Sequence, residues 1–188
     1  MTPTRRDVLR LGAGGGAAAL LRVPVLAAAA NAATAGPAFA PNAWVRIAGD
    51  GKVSLVVGHS EMGQGVRTSL AMILADELGA DWSAVAIEQA SPGPAYENLS
   101  TGGSDSVEDG WVPLRKAAAA AREMLVAAAA KAWKASAADC RAEGGAVVHV
   151  PTGRRLSFGR LARAAAPLPV PKDPRLKEAM DAIKERIR

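Results

Sequence analysis

Residues 56–78 constrain the fold of this 188-residue chain most narrowly, because a short apolar strand there leads through a glycine-rich loop directly into a helix. The loop holds Gly58, Gly63 and Gly65, and the apolar residues that follow recur at helical spacing as far as Gly79, which stands where a C-terminal cap belongs. Glycines let a backbone approach a flat ligand, and a helix N-terminus offers N–H groups to an anion. The segment indicates a site for an anion or a heterocycle, with a plain strand-to-helix turn as the open alternative.

Gln64 stands between two glycines of that loop. A side-chain amide both donates and accepts hydrogen bonds, as the lactam-like edge of a pterin or a purine requires. The alternative is that Gln64 merely faces water in a tight turn.

Alternating apolar residues predict the strands. Asn42–Ile47 and Lys52–Val57 alternate on either side of the turn 49–51 and predict a β-hairpin, and Val85–Gln89 predicts a further strand. Near the C-terminus, residues 147–150 and 154–156 flank a Pro-Thr-Gly turn and predict a second hairpin.

Helices are predicted between and after these strands. A long Ala-rich helix is predicted to have Pro113 in its first turn and to end near Lys134. Ser136 with Asp139 resembles a capping pair and predicts a short helix containing Cys140. A last helix is predicted to follow Ser157 and to end near Pro167. The predicted fold class is α+β, with a small mixed sheet of hairpins packed against the loop helix and the Ala-rich helix.

Charge and cysteine content exclude several classes of function. The net charge is +5, but residues 1–30 account for three of those charges, so the rest of the chain has no clustered basic face for a nucleic acid. A single cysteine, Cys140, excludes an internal disulfide, a cysteine-rich zinc site and a chain-borne iron–sulfur cluster.

The N-terminal residues are typical of an export signal. A twin-arginine motif at residues 4–10 precedes a Gly/Ala-rich apolar stretch, so residues 1–40 are predicted to be a signal peptide, cleaved between residues 31 and 41, that sends a folded protein to the periplasm. A membrane-anchoring helix is the alternative, and no membrane span is predicted after residue 40. Residues 12–17 fit a dinucleotide-binding pattern, but no strand precedes them, so that interpretation is rejected.

The C-terminal part differs in composition from the predicted domain at residues 41–166. Residues 167–175 are proline-rich and predict an extended linker. Residues 176–188 place apolar side chains at helical spacing among alternating charges, which predicts a solvated or partner-seeking amphipathic tail.

The loop at residues 60–65, followed by Thr68, resembles the E-M-G-Q-G loop of the molybdenum hydroxylases, the xanthine dehydrogenase and aldehyde oxidase family. The resemblance covers about residues 1–175 and is closest to the N-terminal part of the large (beta) subunit of isoquinoline 1-oxidoreductase-type enzymes. Further matching segments are 42–47, 75–78, 81–83, 88–90, 102–107, 111–117, 140–142 and 153–157.

In that family the E-M-G-Q-G loop and a Gly/Ser-rich loop before the long helix help to hold molybdopterin, often as a cytosine dinucleotide. The resemblance therefore implies that residues 41–166 are part of a larger molybdopterin-binding domain. The cofactor contacts it implies are Gly63, Gln64 and Gly65, with Met62, Gly103, Ser104 and Ser106 as further contacts.

The resemblance also implies a reaction and partners. The family hydroxylates N-heterocycles or aldehydes with an oxygen derived from water and passes the electrons to iron–sulfur clusters. With one cysteine in this chain, those clusters are expected on a separate 2Fe–2S small subunit. The other expected partners are the rest of the large subunit and a small-molecule substrate, which the sequence does not identify.

The chain also departs from the family. The family's catalytic Glu, in a G-x-G-E segment near the far C-terminus, has no counterpart here, so no catalytic residue is assigned. Glu61 is interpreted as a loop-ordering hydrogen-bond acceptor rather than a proton acceptor. From about Glu178 the sequence diverges, so the chain is expected to be a truncated or split large subunit that does not catalyse alone. A non-enzymatic exported α+β binding module and a vestigial fragment remain alternatives.

The remaining polar candidates are interpreted as structural. His59 and His149 have no second ligand at metal spacing, and no metal-ligating residue is assigned. Cys140 is expected to be a packed small residue rather than a nucleophile, and Arg154 and Arg155 a solvated edge.

Overall fold

The computed structural model describes residues 38–96 and 99–178, and within them the chain forms six strands and three α-helices. The elements are β1 (Val45–Ile47), β2 (Val53–Val57), α1 (Val66–Leu78), β3 (Val85–Gln89), α2 (Ser106–Trp133), β4 (Cys140–Glu143), β5 (Ala146–His149), β6 (Arg154–Ser157) and α3 (Phe158–Ala165). The predicted α+β fold class is confirmed. The twin-arginine motif and residues 179–188 of the predicted tail lie outside the described residues.

The first sheet contains β1, β2 and β3 in that order. β1 and β2 pair antiparallel, with Val45 opposite Leu55, and β2 and β3 pair parallel, with Leu55 opposite Ile87. Parallel neighbours need a crossover connection, which α1 supplies. The predicted hairpin, the predicted strand and the bounds of α1 are confirmed, and the glycine-rich loop leaves the carboxyl end of β2.

The second sheet is an antiparallel meander of β4, β5 and β6. The prediction of a helix containing Cys140 is wrong, because that residue opens β4 and lies opposite His149. Ser136 does act as a cap, accepting a hydrogen bond from the Ala138 N–H, but it caps only the single 3-10 turn Ala137–Asp139. Pairing with β5 therefore determines the structure here rather than the local capping signal.

The long helix α2 begins two turns earlier than predicted. Its first residue is Ser106, so Pro113 lies inside the helix, where it cannot donate a hydrogen bond to the carbonyl four residues before it. Two acidic residues in the first turn, Glu108 and Asp109, favour a helix start at this point through the helix dipole. The predicted end is confirmed, with Lys134 as the C-cap.

The two longest helices pack side by side with their N-termini at the same end. Near those N-termini, Gly110 of α2 approaches Leu70 of α1 so closely that a Cβ would lie 3.1 Å from the leucine Cδ2. Further along, Glu77 near the C-terminus of α1 bonds to Arg115 and Arg122 in the middle of α2. The loops that precede α1 and α2 are therefore brought to the same end of this helix pair.

Alanine makes this close helix contact possible. The buried face of α2 is mostly alanine, while α1 contributes Leu70, Leu74 and Leu78 to the same core. Across residues 38–96 and 99–178, we find no helix with the length and apolar character needed to cross a bilayer.

Candidate functional site

The two loops identified from the sequence meet at the N-terminal ends of α1 and α2. The Ser60 N–H donates a hydrogen bond to Thr101 Oγ1 at 2.9 Å and ties one loop to the other. Between them lies a cleft of about 450 Å³, a size usual for small-molecule sites. The cleft is lined by Met62, Gln64, Val66, Thr101, Gly102, Gly103, Ser104, Ser106 and Val107.

Five of the seven predicted cofactor contacts line this cleft: Met62, Gln64, Gly103, Ser104 and Ser106. Gly63 and Gly65 belong to the same loop but do not line it. They adopt φ values of 94° and 81°, which explains why the loop needs glycine at both positions. Ser104 has a φ of 64°, a left-handed conformation that is unusual for serine and that concentrates at functional sites.

Glu61 orders the glycine-rich loop. Its Oε1 accepts hydrogen bonds from the Gly63 N–H at 2.8 Å and the Gly65 N–H at 3.0 Å, and its Oε2 accepts one from the Arg67 N–H at 3.0 Å. The backbone N–H of Gly65, followed by that of Arg67, lowers the pKa of this carboxyl below its ordinary value of 4.5. The ionised carboxylate therefore makes these contacts at neutral pH, and they are lost as the pH falls through the lowered pKa.

The interpretation of Glu61 as a loop-ordering residue is confirmed. The same contacts correct the expectation that the start of α1 offers free N–H groups to an anionic ligand. The N–H groups of Gly65 and Arg67 already bond to the Glu61 carboxylate. These two N–H groups are therefore not free to bind an anionic ligand.

Gln64 folds back on its own loop. Its Oε1 accepts a hydrogen bond from the Met62 N–H at 2.6 Å, and its Nε2 donates one to the Ser60 carbonyl at 3.0 Å. A primary amide has two N–H groups and two lone pairs, so one of each remains for a ligand at the cleft.

The other polar candidates have structural surroundings. His149 is buried, its Nδ1 lies 2.7 Å from Thr152 Oγ1, and its ring packs against Trp133. Burial raises the pKa of the Cys140 thiol, which keeps the thiol protonated at neutral pH. Within residues 38–96 and 99–178, no group of three or more His, Cys, Asp or Glu side chains is placed to hold a metal ion.

A second, open cleft of about 650 Å³ is lined in part by Ser60 and Glu61, and the sequence did not predict it. Arg67 lines it and donates through Nη2 to the Ile87 carbonyl at 2.7 Å, and Gln89 lines it and donates to the Val57 carbonyl at 3.0 Å. The sequence signal that could have indicated this cleft is the strand–helix–strand order of β2, α1 and β3, which favours parallel pairing of the two strands. The carboxyl ends of parallel neighbours meet at one edge of a sheet, where ligand sites commonly lie.

The sequence of this chain matches a family model and is similar to several known proteins. The sequence model of a family described as "Molybdopterin cofactor-binding domain" matches residues 13–182. The beta subunit of isoquinoline 1-oxidoreductase from Brevundimonas diminuta is 35% identical over 147 residues, which are 73% of this chain and 19% of that protein. A membrane-bound aldehyde dehydrogenase from Gluconacetobacter polyoxogenes, named for pyrroloquinoline quinone, is 36% identical over 69% of this chain and 17% of its own length.

The fold also matches a solved structure. The crystal structure of quinoline 2-oxidoreductase from Pseudomonas putida 86 superposes with a TM-score of 0.53 at 27% identity, over 69% of this chain and 17% of that chain. In these comparisons the chain spans less than a fifth of the length of the proteins that it matches.

Proposed function

This chain belongs to the molybdopterin cofactor-binding domain family of the molybdenum hydroxylases, and on that premise we propose that it forms part of the cofactor site of such an enzyme. The resemblance drawn from the E-M-G-Q-G loop is thereby confirmed. The observation that carries the proposal is that this loop and the Gly/Ser-rich loop form the two sides of one cleft.

The side chains of the cleft suit a flat heterocycle with a polar edge. Gln64 offers an amide with one donor and one acceptor to spare, and Ser104 and Ser106 carry hydroxyls that donate and accept. At Gly102 no atom lies within 4 Å of where a Cβ would be, so the backbone is open to a ligand there. We propose that these residues hold molybdopterin, with the cytosine dinucleotide as the expected form.

The proposed cofactor, when bound, supplies the oxidation of an N-heterocycle or an aldehyde with an oxygen derived from water. The residues of this chain bind and orient the cofactor. Glu61 keeps the loop in the conformation that presents Gln64, and its lowered pKa suits it to remain ionised rather than to move a proton. We propose the rest of the large subunit and a 2Fe–2S small subunit as partners, because relatives of this chain are named as subunits.

Cofactor content tests the proposal. The full chain, produced with its gene neighbours in a host that makes molybdopterin, is expected to carry molybdenum and to release a fluorescent pterin after oxidation. Gly102→Leu places a side chain in the cleft and is expected to raise the apparent Kd for the pterin about tenfold, equivalent to ~1.4 kcal/mol of binding free energy, and so to lower the pterin content. Metal analysis and pterin fluorescence, each expressed per chain, measure the effect.

Gly49→Leu is the matched control, because Gly49 also has open space around its Cβ position but lies in the turn between β1 and β2. It is expected to keep the cofactor content of the unmodified chain. A chain without pterin, or an equal loss in both variants, would contradict the proposed site. A quinone in place of the pterin would instead match the cofactor in the name of the aldehyde dehydrogenase relative.

We also propose that the protein is exported to the periplasm by the twin-arginine pathway, on the support of the motif at residues 4–10. Replacing Arg5 and Arg6 together by lysine is expected to keep the protein in the cytoplasm, as measured by cell fractionation and immunoblotting. Arg10→Lys, outside the arginine pair, is the control and is expected to leave export unchanged. Equal export of both variants would show that the arginine pair is not read as a signal.

A further inference from the structure

A buried charge cluster joins the two helices that carry the cleft. Glu77 of α1 is fully buried, and its Oε2 accepts a hydrogen bond from Arg115 Nε at 2.7 Å. Its Oε1 accepts one from Arg122 and another from the backbone N–H of Lys177 at 2.8 Å. One carboxylate thus connects α1, two positions on α2 and a segment that follows α3.

That segment, residues 174–178, is here called the strap. Arg115 donates through Nη2 to the Lys177 carbonyl, and Arg122 does the same to the Arg175 carbonyl. The Arg175 N–H donates to Glu123 Oε1 at 2.7 Å, and Pro174 is buried. Both arginines therefore use part of their guanidinium on Glu77 and part on the backbone of the strap.

The cluster lies on the same two helices as the cleft. The loop that contains Gln64 leads into α1, and the loop that contains Ser104 leads into α2. Because the helices lie side by side with their N-termini at one end, their relative position determines the separation of the two loops. Gly110 and Leu70 fix the helix contact near the cleft, and the Glu77 cluster fixes it further along.

We propose that Glu77 is a positioning residue and that the strap clamps α1 to α2, so that together they set the width of the cleft. Two guanidinium groups face one buried carboxylate, which cannot accept hydrogen bonds from all of their N–H groups. The backbone carbonyls of the strap accept hydrogen bonds from the remaining N–H groups. Without the strap, those guanidinium N–H groups bond to water instead, and α1 and α2 lose the segment that contacts both of them. The consequence for the cofactor rests on the proposed function, whereas the control of cleft width does not.

Distance measurements across the cleft test this inference without any cofactor. Met62 and Val107 lie on the cleft and are 70% and 42% exposed, so each accepts a nitroxide label after replacement by cysteine in a Cys140→Ser background. Electron–electron double resonance then gives the distribution of distances between the labels. The full chain is expected to give a narrow distribution.

Two deletions isolate the strap. Removing residues 179–188 leaves the strap in place and is expected to leave the distribution unchanged, whereas removing 174–188 is expected to broaden it about twofold through local opening. If the competent cleft falls to a tenth of the population, the apparent Kd for the pterin rises about tenfold. An unchanged distribution in a folded chain without the strap overturns the inference.

Glu77→Gln keeps the shape of the side chain and is the second variant if the chain without the strap does not fold, as judged by circular dichroism. It is expected to broaden the distribution, and a narrow distribution in the folded variant would overturn the inference. If the distribution broadens while the unmodified chain binds no pterin, the proposed function fails and the clamp stands.

Discussion

Glu77→Ala is expected to lower the free energy of unfolding by about 3–5 kcal/mol, the usual cost of removing one partner from a buried ion pair. Arg115 and Arg122 would be left largely buried without their carboxylate, since their side chains are only 13% exposed. The Lys177 N–H would lose its acceptor as well. Urea denaturation followed by circular dichroism measures the change as a lower transition midpoint.

Asp76→Ala is the matched control, because Asp76 is the preceding residue on α1 and its side chain is exposed. Exposed substitutions of this kind change stability by about 0.5 kcal/mol or less. Similar losses in the two variants would mean that helix propensity or net charge, rather than the buried cluster, accounts for the effect.

The sequence contained no signal for this cluster. Local patterns placed Glu77 on a helix, where a charged residue normally faces water. Its partners Arg115 and Arg122 lie 38 and 45 residues further along the chain, and the strap about 100 residues further. Contacts over such separations arise from packing, which periodicity within one helix does not reveal.

Local sequence patterns were sufficient to predict those strands and helices whose ends are determined by their own residues. Alternation predicted β2, and apolar spacing with a terminal glycine predicted α1 as far as Leu78. The start of α2 was predicted too late, because Pro113 suggested a first turn, which left Gly110 before the predicted helix. The structure explains the glycine instead by the close approach of Leu70, a tertiary contact that outweighs propensity.

The candidate site was predictable in its residues but not in its hydrogen bonds. The resemblance named two loops about 40 residues apart, and the Ser60–Thr101 hydrogen bond joins them. The glycine pattern suggested free N–H groups at the start of α1 but could not show that Glu61 bonds to two of them. Whether the named residues bind the cofactor remains a prediction.

Gly79→Ala is expected to lower the free energy of unfolding by about 3 kcal/mol, combining left-handed strain of about 1 kcal/mol with the cost of a steric clash. Gly79 has a φ of 76°, and an added Cβ would lie 2.5 Å from the Ala142 carbonyl oxygen. That oxygen belongs to the backbone of β4, so a side-chain rotation cannot relieve the clash. The Gly79 carbonyl also accepts a hydrogen bond from the Gly145 N–H at 2.9 Å, which ties the end of α1 to the second sheet.

Gly153→Ala separates strain from clash. Gly153 has a φ of 68°, and no atom lies within 4 Å of its Cβ position, so only the left-handed strain of about 1 kcal/mol applies. Thermal unfolding of both variants and the unmodified chain gives the two differences directly. Equal losses would show that β4 shifts to accommodate the methyl group. A larger loss for Gly79→Ala would show that β4 is held firmly against the end of α1, the helix that follows the glycine-rich loop and contains Glu77.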